Sequence, residues 1–310
     1  MTFDEESGPA VRENFRGSTL RSTYRFGAVV AVVLSMATLS PVTASSAPSI
    51  PVSSPCGRTI STSYSHVVWI VMENEGYSVI GSGSAPYLNT LASACGLATQ
   101  DYAVSHPSLP NYVALTSGST QGIIDDAEPS QHHLTVPSIF SQLGSNWSVL
   151  AESMPSRCDQ VTSGQYAARH NPAVYYQSLA SSCLQNDVPL ALPLNLSKKF
   201  TFIVPNVCND MHSCSVTTGD QWLRRFVPAI LGSRQYQSGS LVLFITFDEN
   251  NLQSSNRIPT LVIAPSVPRG LKVGVHFTHY SLLGSTESLL HLSLLGGARS
   301  ASSMIRPFHL

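Results

Sequence analysis

His66-Val67-Val68-Trp69-Ile70-Val71-Met72 runs directly into Glu73-Asn74, and Leu241-Val242-Leu243-Phe244-Ile245-Thr246-Phe247, far along the chain, runs directly into Asp248-Glu249. Each apolar run is about seven residues long and rich in β-branched and aromatic side chains, the pattern of a buried strand. In an open α/β sheet, ligands bind beyond the carboxyl ends of the strands. The two runs therefore predict one crevice holding three carboxylates and a side-chain amide. Carboxylates gathered at one point repel one another, so a cation is their natural occupant.

Outward from these runs, strand and helix signals alternate. The pattern predicts a strand at 67–72, a helix at 85–95, a turn at Ser108 leading into a helix at 110–117, and a helix near 137–143. Strands follow at 147–151 and 200–204, a helix at 219–231, strands at 241–247 and 259–264, and a helix at 280–294. This alternation predicts an α/β fold, a mainly parallel sheet with helices on both faces, in a single domain over residues 64–310. Residues 45–63, rich in Ser, Pro and Thr, predict a flexible leading segment.

A third motif is His106-Pro107-Ser108-Leu109-Pro110-Asn111-Tyr112. Serine with a proline two residues on fits a helix N-cap or first turn. Backbone N–H groups and the helix dipole favour an anion there. Ser108 is thus the candidate nucleophile, and Asn111, one turn along, is a candidate to reach the same oxyanion. A lone Ser-x-Pro would be read as a cap only; here the acidic pairs and histidines also need an explanation. Asp210 and His212 follow the strand at 200–204, again at a carboxyl end, and form a metal or proton-transfer pair or else an ordinary surface turn. His279 precedes the last helix. The other histidines, 66, 132, 133, 276, 291 and 309, read as structural or solvated.

The residues resemble the bacterial phosphoesterase family that contains acid phosphatases and non-haemolytic phospholipases C, within the alkaline-phosphatase superfamily. The resemblance runs from about Ser65 to Phe308. Besides the stretches quoted, Ala85-Pro86-Tyr87-Leu88-Asn89, His170-Asn171-Pro172, Pro205-Asn206 with Asn209-Asp210-Met211-His212, and Thr278-His279-Tyr280-Ser281 carry it. It implies an alkaline-phosphatase-like sheet and phosphoryl transfer through a serine held by a metal. One divalent ion would sit among Glu73, Asn74, Asp248 and Glu249, with the Ser108 oxygen completing its shell. Superfamily members usually carry aspartate-histidine where this chain has Asp248-Glu249. The ion's identity stays open among calcium, magnesium, manganese, iron and zinc. By the same resemblance His106, His212 and His279 bind and protonate the phosphate, and His170, Asn171 and Asp210 contact the substrate. A second ion through Asp210, His212 and His279 is the other arrangement.

The expected activity is hydrolysis of phosphate monoesters through a phosphoserine. The alternatives are a phospholipase C or phosphodiesterase using the same site, and an exported binding protein without catalysis. Small phosphate esters or phospholipid headgroups are the expected partners. A net charge of -1 over 310 residues, 11% of them charged, supplies no basic stripe for nucleic acid.

Arg21 and Arg25 precede an apolar stretch, Phe26 to Leu39, of about fourteen residues, and Val42-Thr43-Ala44 offers small residues for cleavage. Residues 1–44 therefore read as a polar extension plus signal peptide, with an uncleaved anchor as the alternative, and the protein is expected outside the cell. All six cysteines follow that segment. An even count in an exported chain predicts disulfides, and the simplest pairing is sequential: Cys56–Cys95, Cys158–Cys183, Cys208–Cys214. A zinc site is the weaker reading, because no Cys-x-x-Cys pair occurs.

Overall fold

The computed structural model describes residues 54–252 and 255–310. The expected leader at 1–44 lies outside them. The strands are β1 (His66–Met72), β2 (Gly96–Tyr102), β3 (Trp147–Ala151), β4 (Asp187–Pro189), β5 (Phe200–Val204), β6 (Leu241–Phe247), β7 (Arg257–Ile263), β8 (Leu271–Val273) and β9 (Phe277–Thr278). The helices are α1 (Pro86–Ala94), α2 (Ser108–Ser117), α3 (Ile139–Leu143), α4 (Ala180–Asn186), α5 (Val216–Leu231), α6 (Arg234–Gln237) and α7 (His279–Leu289), with short 3-10 turns between Ala168 and Leu179.

One sheet orders the strands β4-β3-β5-β1-β6-β7-β2-β8, with β9 also paired to β2. β1 pairs in parallel with β5 and β6, and β3 pairs in parallel with β4 and β5. β7 runs against both β6 and β2, so the sheet is mixed but mostly parallel. Every residue of β5 and β6 is buried, as are all but the first of β1. Strands this apolar must be covered on both faces, and the helices cover them.

Trp69 on β1 anchors the core. It is fully buried, meets Phe200 edge-on at 4.8 Å, and donates its indole N–H to Thr286 on α7 at 3.0 Å. Replacing it by alanine would cost about 3–5 kcal/mol. α1 and α5 pack together, and Asp220 of α5 caps α1 from outside: its carboxylate accepts from the Tyr87 and Leu88 amides at 3.0 and 2.8 Å. Such a cap satisfies first-turn N–H groups that Ala85, lacking a side-chain acceptor, leaves open. α2 packs on α7.

Three disulfides, Cys56–Cys95, Cys158–Cys183 and Cys208–Cys214, match the sequential pairing. The leading segment departs from expectation where it is described. Residues 54–63 are fastened, not loose: besides the Cys56 bridge, Gly57 N–H donates to the Val267 carbonyl (2.7 Å), Arg58 N–H to the Pro265 carbonyl (2.9 Å), and Tyr236 OH to the Pro55 carbonyl (2.6 Å). Serine and proline content reported only the lack of a periodic pattern, not the tertiary bonds that hold the backbone.

Candidate active site

The register of β1 and β6 pairs Met72 with Phe247, so both acidic pairs leave the sheet side by side. Asp248 N–H donates to the Met72 carbonyl (2.9 Å), and Glu73 N–H donates to the Asp210 carbonyl (2.8 Å). Three chain segments thus meet at one sheet edge. Disulfide Cys208–Cys214 closes the loop that carries Asp210 and His212. Glu152, just past β3, holds that loop by accepting from Asn206 N–H and Asn209 Nδ2, each at 3.0 Å.

Ser108 is the first residue of α2 and is buried. Its Oγ donates to Glu73 Oε2 at 2.9 Å, and the Tyr112 hydroxyl, one turn on, donates to Glu73 Oε1. His170 stacks on the Tyr112 ring (5.3 Å between centroids), with Nδ1 at 3.1 Å from Asp210 Oδ2 and Nε2 at 3.4 Å from Glu73 Oε1. Asp210 Oδ1 in turn accepts from His212 N–H at 2.8 Å. Ligand atoms of Glu73, His170 and His212 lie within 4.8 Å of one another. His106 Nδ1 is 2.5 Å from Glu249 Oε2.

Burial, reinforced by the charges of Asp248 and Asp210, raises Glu73 well above the usual carboxylate range. Burial likewise pushes Asp248 and Asp210 up to about 7, and burial with the Asp248 charge pushes Glu249 up to about 9. Burial, then Arg169, holds His170 well below its ordinary value, so it is neutral. A cluster of carboxyls this deep needs protons or a cation.

The donor set fits a cation. Asp248 Oδ2 and Asn74 Oδ1 are buried without a hydrogen-bond partner among the described residues, beside Glu73, and Asn74 is held at a left-handed φ of 53°. Orphaned hard oxygens next to repelling carboxyls are what a divalent ion satisfies. Glu73, His170 and His212 form an adjoining mixed oxygen–nitrogen set.

Several expected residues sit differently. Asn111 does not reach an oxyanion: Oδ1 accepts from the Val104 and Ser105 amides, and Nδ2 donates to the Ser105 and Pro107 carbonyls. Its amide is wholly spent on shaping the loop before Ser108. Asn171 is also turned away, its Nδ2 donating to Tyr166 OH (3.1 Å) and Asp187 (2.9 Å). His279 is buried, and burial lowers it to about 4; its Nε2–H donates to the Asp248 carbonyl at 2.5 Å. That nitrogen therefore fastens the acidic turn and is committed away from phosphate and from a second ion. Glu249 commits one oxygen to His106, leaving one for an ion. The Leu109 amide at the α2 start is already capped by Asp126 Oδ1 (2.9 Å). Asp126, Tyr112, Arg169 and Glu152 were not singled out in the sequence; only Tyr112 carried a signal, being one turn after Ser108.

A buried serine at a helix start, its hydroxyl on a carboxylate, with histidines and an acidic cluster at one sheet edge, defines a hydrolase acting on phosphoric esters. The fold is that of the alkaline phosphatase superfamily. A superfamily protein from Vibrio parahaemolyticus superposes with a TM-score of 0.54 at 12% identity, over 79% of this chain and 71% of its own. A lipoteichoic acid synthase from Listeria monocytogenes gives 0.51 at 13% identity, over 79% and 80%. The chain belongs to the Phosphoesterase family, which matches it over residues 80–293. It is 32% identical over 245 residues to a phosphatidylinositol-3-phosphatase from Mycobacterium tuberculosis, covering 77% of this chain and 81% of that one. An acid phosphatase from Aspergillus fumigatus is 29% identical over 273 residues, covering 81% of this chain and 60% of the fungal protein. The chain thus spans under two thirds of that fungal relative.

Proposed function

We propose that this protein is an exported, metal-dependent phosphatase that hydrolyses phosphate monoesters through a phosphoserine at Ser108. The observation that carries the reading is the 2.9 Å hydrogen bond from Ser108 Oγ to Glu73 Oε2 at the start of α2. Glu73, Asn74 and Asp248, with the free oxygen of Glu249, would hold a divalent ion, which when bound neutralises charge on the phosphate and the attacking oxygen. Export is supported by the three disulfides.

Ser108 Oγ attacks phosphorus in line as its proton passes to Glu73 Oε2, and the P–Oγ bond forms while the ester P–O bond breaks. His106, its Nδ1 fixed by Glu249, protonates the departing alkoxide from Nε2. Neutral His170, held by Asp210, and His212 line the phosphate. Water, giving a proton to His106 Nε2, then attacks the phosphoserine; the P–Oγ bond breaks, inorganic phosphate leaves, and the proton held by Glu73 returns to Ser108 Oγ.

Relatives carry the names phosphatidylinositol-3-phosphatase and acid phosphatase, and this supports removal of a terminal phosphate, a monoester substrate. Turnover of p-nitrophenyl phosphate beside bis(p-nitrophenyl) phosphate tests this. Faster monoester hydrolysis that a chelator abolishes and added divalent ion restores is expected. Faster diester hydrolysis, or none of either, refutes it.

A further inference from the structure

Arg169 is the charged side chain at this site that the chemistry above leaves without a task. It directly precedes His170 in the turn Ala168–His170. His170 turns inward to Glu73 and Asp210, while Arg169 keeps 20% of its side chain open to solvent. One guanidinium nitrogen lies 3.1 Å from His212 Nε2. Its Nε is 3.8 Å from Asp126 Oδ2, too far to bond, so this buried N–H has no hydrogen-bond partner among the described residues. Asp126 is fastened on its other oxygen by the Leu109 amide, next to the nucleophile, at 2.9 Å.

A guanidinium with an unspent donor is therefore pinned between Asp126, which caps the start of the nucleophile's helix, and His212, whose ring lies within 4.8 Å of ligand atoms of Glu73 and His170. A buried N–H without an acceptor is costly, and an incoming oxygen would relieve it. The planar fork of arginine suits phosphoryl oxygens, and a guanidinium favours the more highly charged anion. A monoester offers three non-bridging oxygens and a second ionisation near pH ~6. A diester offers two such oxygens and a single charge.

We propose that Arg169, positioned by Asp126, binds a non-bridging phosphoryl oxygen and makes the site select phosphate monoesters over diesters. This rests on the phosphatase reading above. The test is steady-state kinetics of the purified full chain, with its metal, on p-nitrophenyl phosphate and bis(p-nitrophenyl) phosphate. Wild type, Arg169→Gln, Arg169→Lys and Asp126→Asn are compared, with melting temperatures and inhibition by inorganic phosphate. Arg169→Gln should lose about a hundredfold or more of monoester kcat/KM, the scale of a lost transition-state donor, and under about tenfold on the diester. Inorganic phosphate should inhibit it correspondingly less. Arg169→Lys, which keeps charge and stem, should fold even if the Gln variant does not and give an intermediate ratio, as should Asp126→Asn. An unchanged monoester-to-diester ratio in Arg169→Lys and Arg169→Gln, or equal losses on both substrates, overturns the proposal. A wild-type enzyme without monoester activity would instead sink the phosphatase reading itself.

Discussion

Replacing Asp101 with asparagine should flatten the pH dependence of stability. Asp101 lies on β2, is 1% exposed, and is pushed up to about 7 by burial, against opposing hydrogen bonds from Thr260 and the Tyr102 amide. In the unfolded chain an aspartate titrates near ~3.9. Because the folded value is the higher one, the native state keeps a proton that the unfolded chain has lost between about pH 4 and 7. The contribution is therefore complete at low pH and is lost as pH rises through about 7. Each pH unit in that window changes stability by roughly 1.4 kcal/mol, so pH 5 to 8 removes about 3 kcal/mol through this one group. For a chain of this size that corresponds to about 5 °C in Tm. Asparagine cannot ionise and still offers an amide to Thr260. Urea titrations of wild type and Asp101→Asn at pH 5, 6, 7 and 8 read the effect. The stability of the variant relative to wild type should rise by about 3 kcal/mol between pH 5 and pH 8. Parallel stability curves across that range would refute the reasoning. Asp187, also buried and pushed up to about 7, should behave in the same sense.

Asp248→Asn keeps shape and removes one charge from the acidic cluster. Bound metal and turnover should fall together, each by about tenfold or more, with the fold intact; unchanged metal content in inductively coupled plasma analysis would contradict the ligand assignment. Joint replacement of Cys208 and Cys214 by serine frees the loop that carries Asp210 and His212. Activity should drop more than the loss of Tm explains, as shown by kcat measured well below the melting transition; full activity there would separate the loop from the site.

Strands β1 and β6 were legible because their apolar runs are uninterrupted and end at the acidic pairs. β2 was not. It opens with Gly96 and carries Thr99-Gln100-Asp101, so its sequence lacks the apolar run, and its pairing with β7 is broken between Ala98 and Asp101. Its burial is imposed by β7, β8 and β9 on either side. The turns over 168–179 were equally silent, since 3-10 turns have no amphipathic period to detect. Within the site, Ser108, Glu73 and Asp248 could be placed from strand ends and a helix start. The partnerships could not. His106 meets Glu249 across 143 positions of sequence, and Asn111 spends its amide on backbone before any substrate could use it. Arg169 beside His170 reads as a solvated charge until Asp126 and His212 are brought to it by the fold.

The central claim is that Ser108 carries the phosphoryl group. Acid-quenching the wild-type enzyme during turnover of p-nitrophenyl phosphate and mapping peptides by mass tests it directly. The account predicts one added phosphate on Ser108, absent from a Ser108→Ala protein that folds, binds metal and does not turn over. Phosphate on another residue such as Thr116, or near-normal turnover by Ser108→Ala, would contradict it.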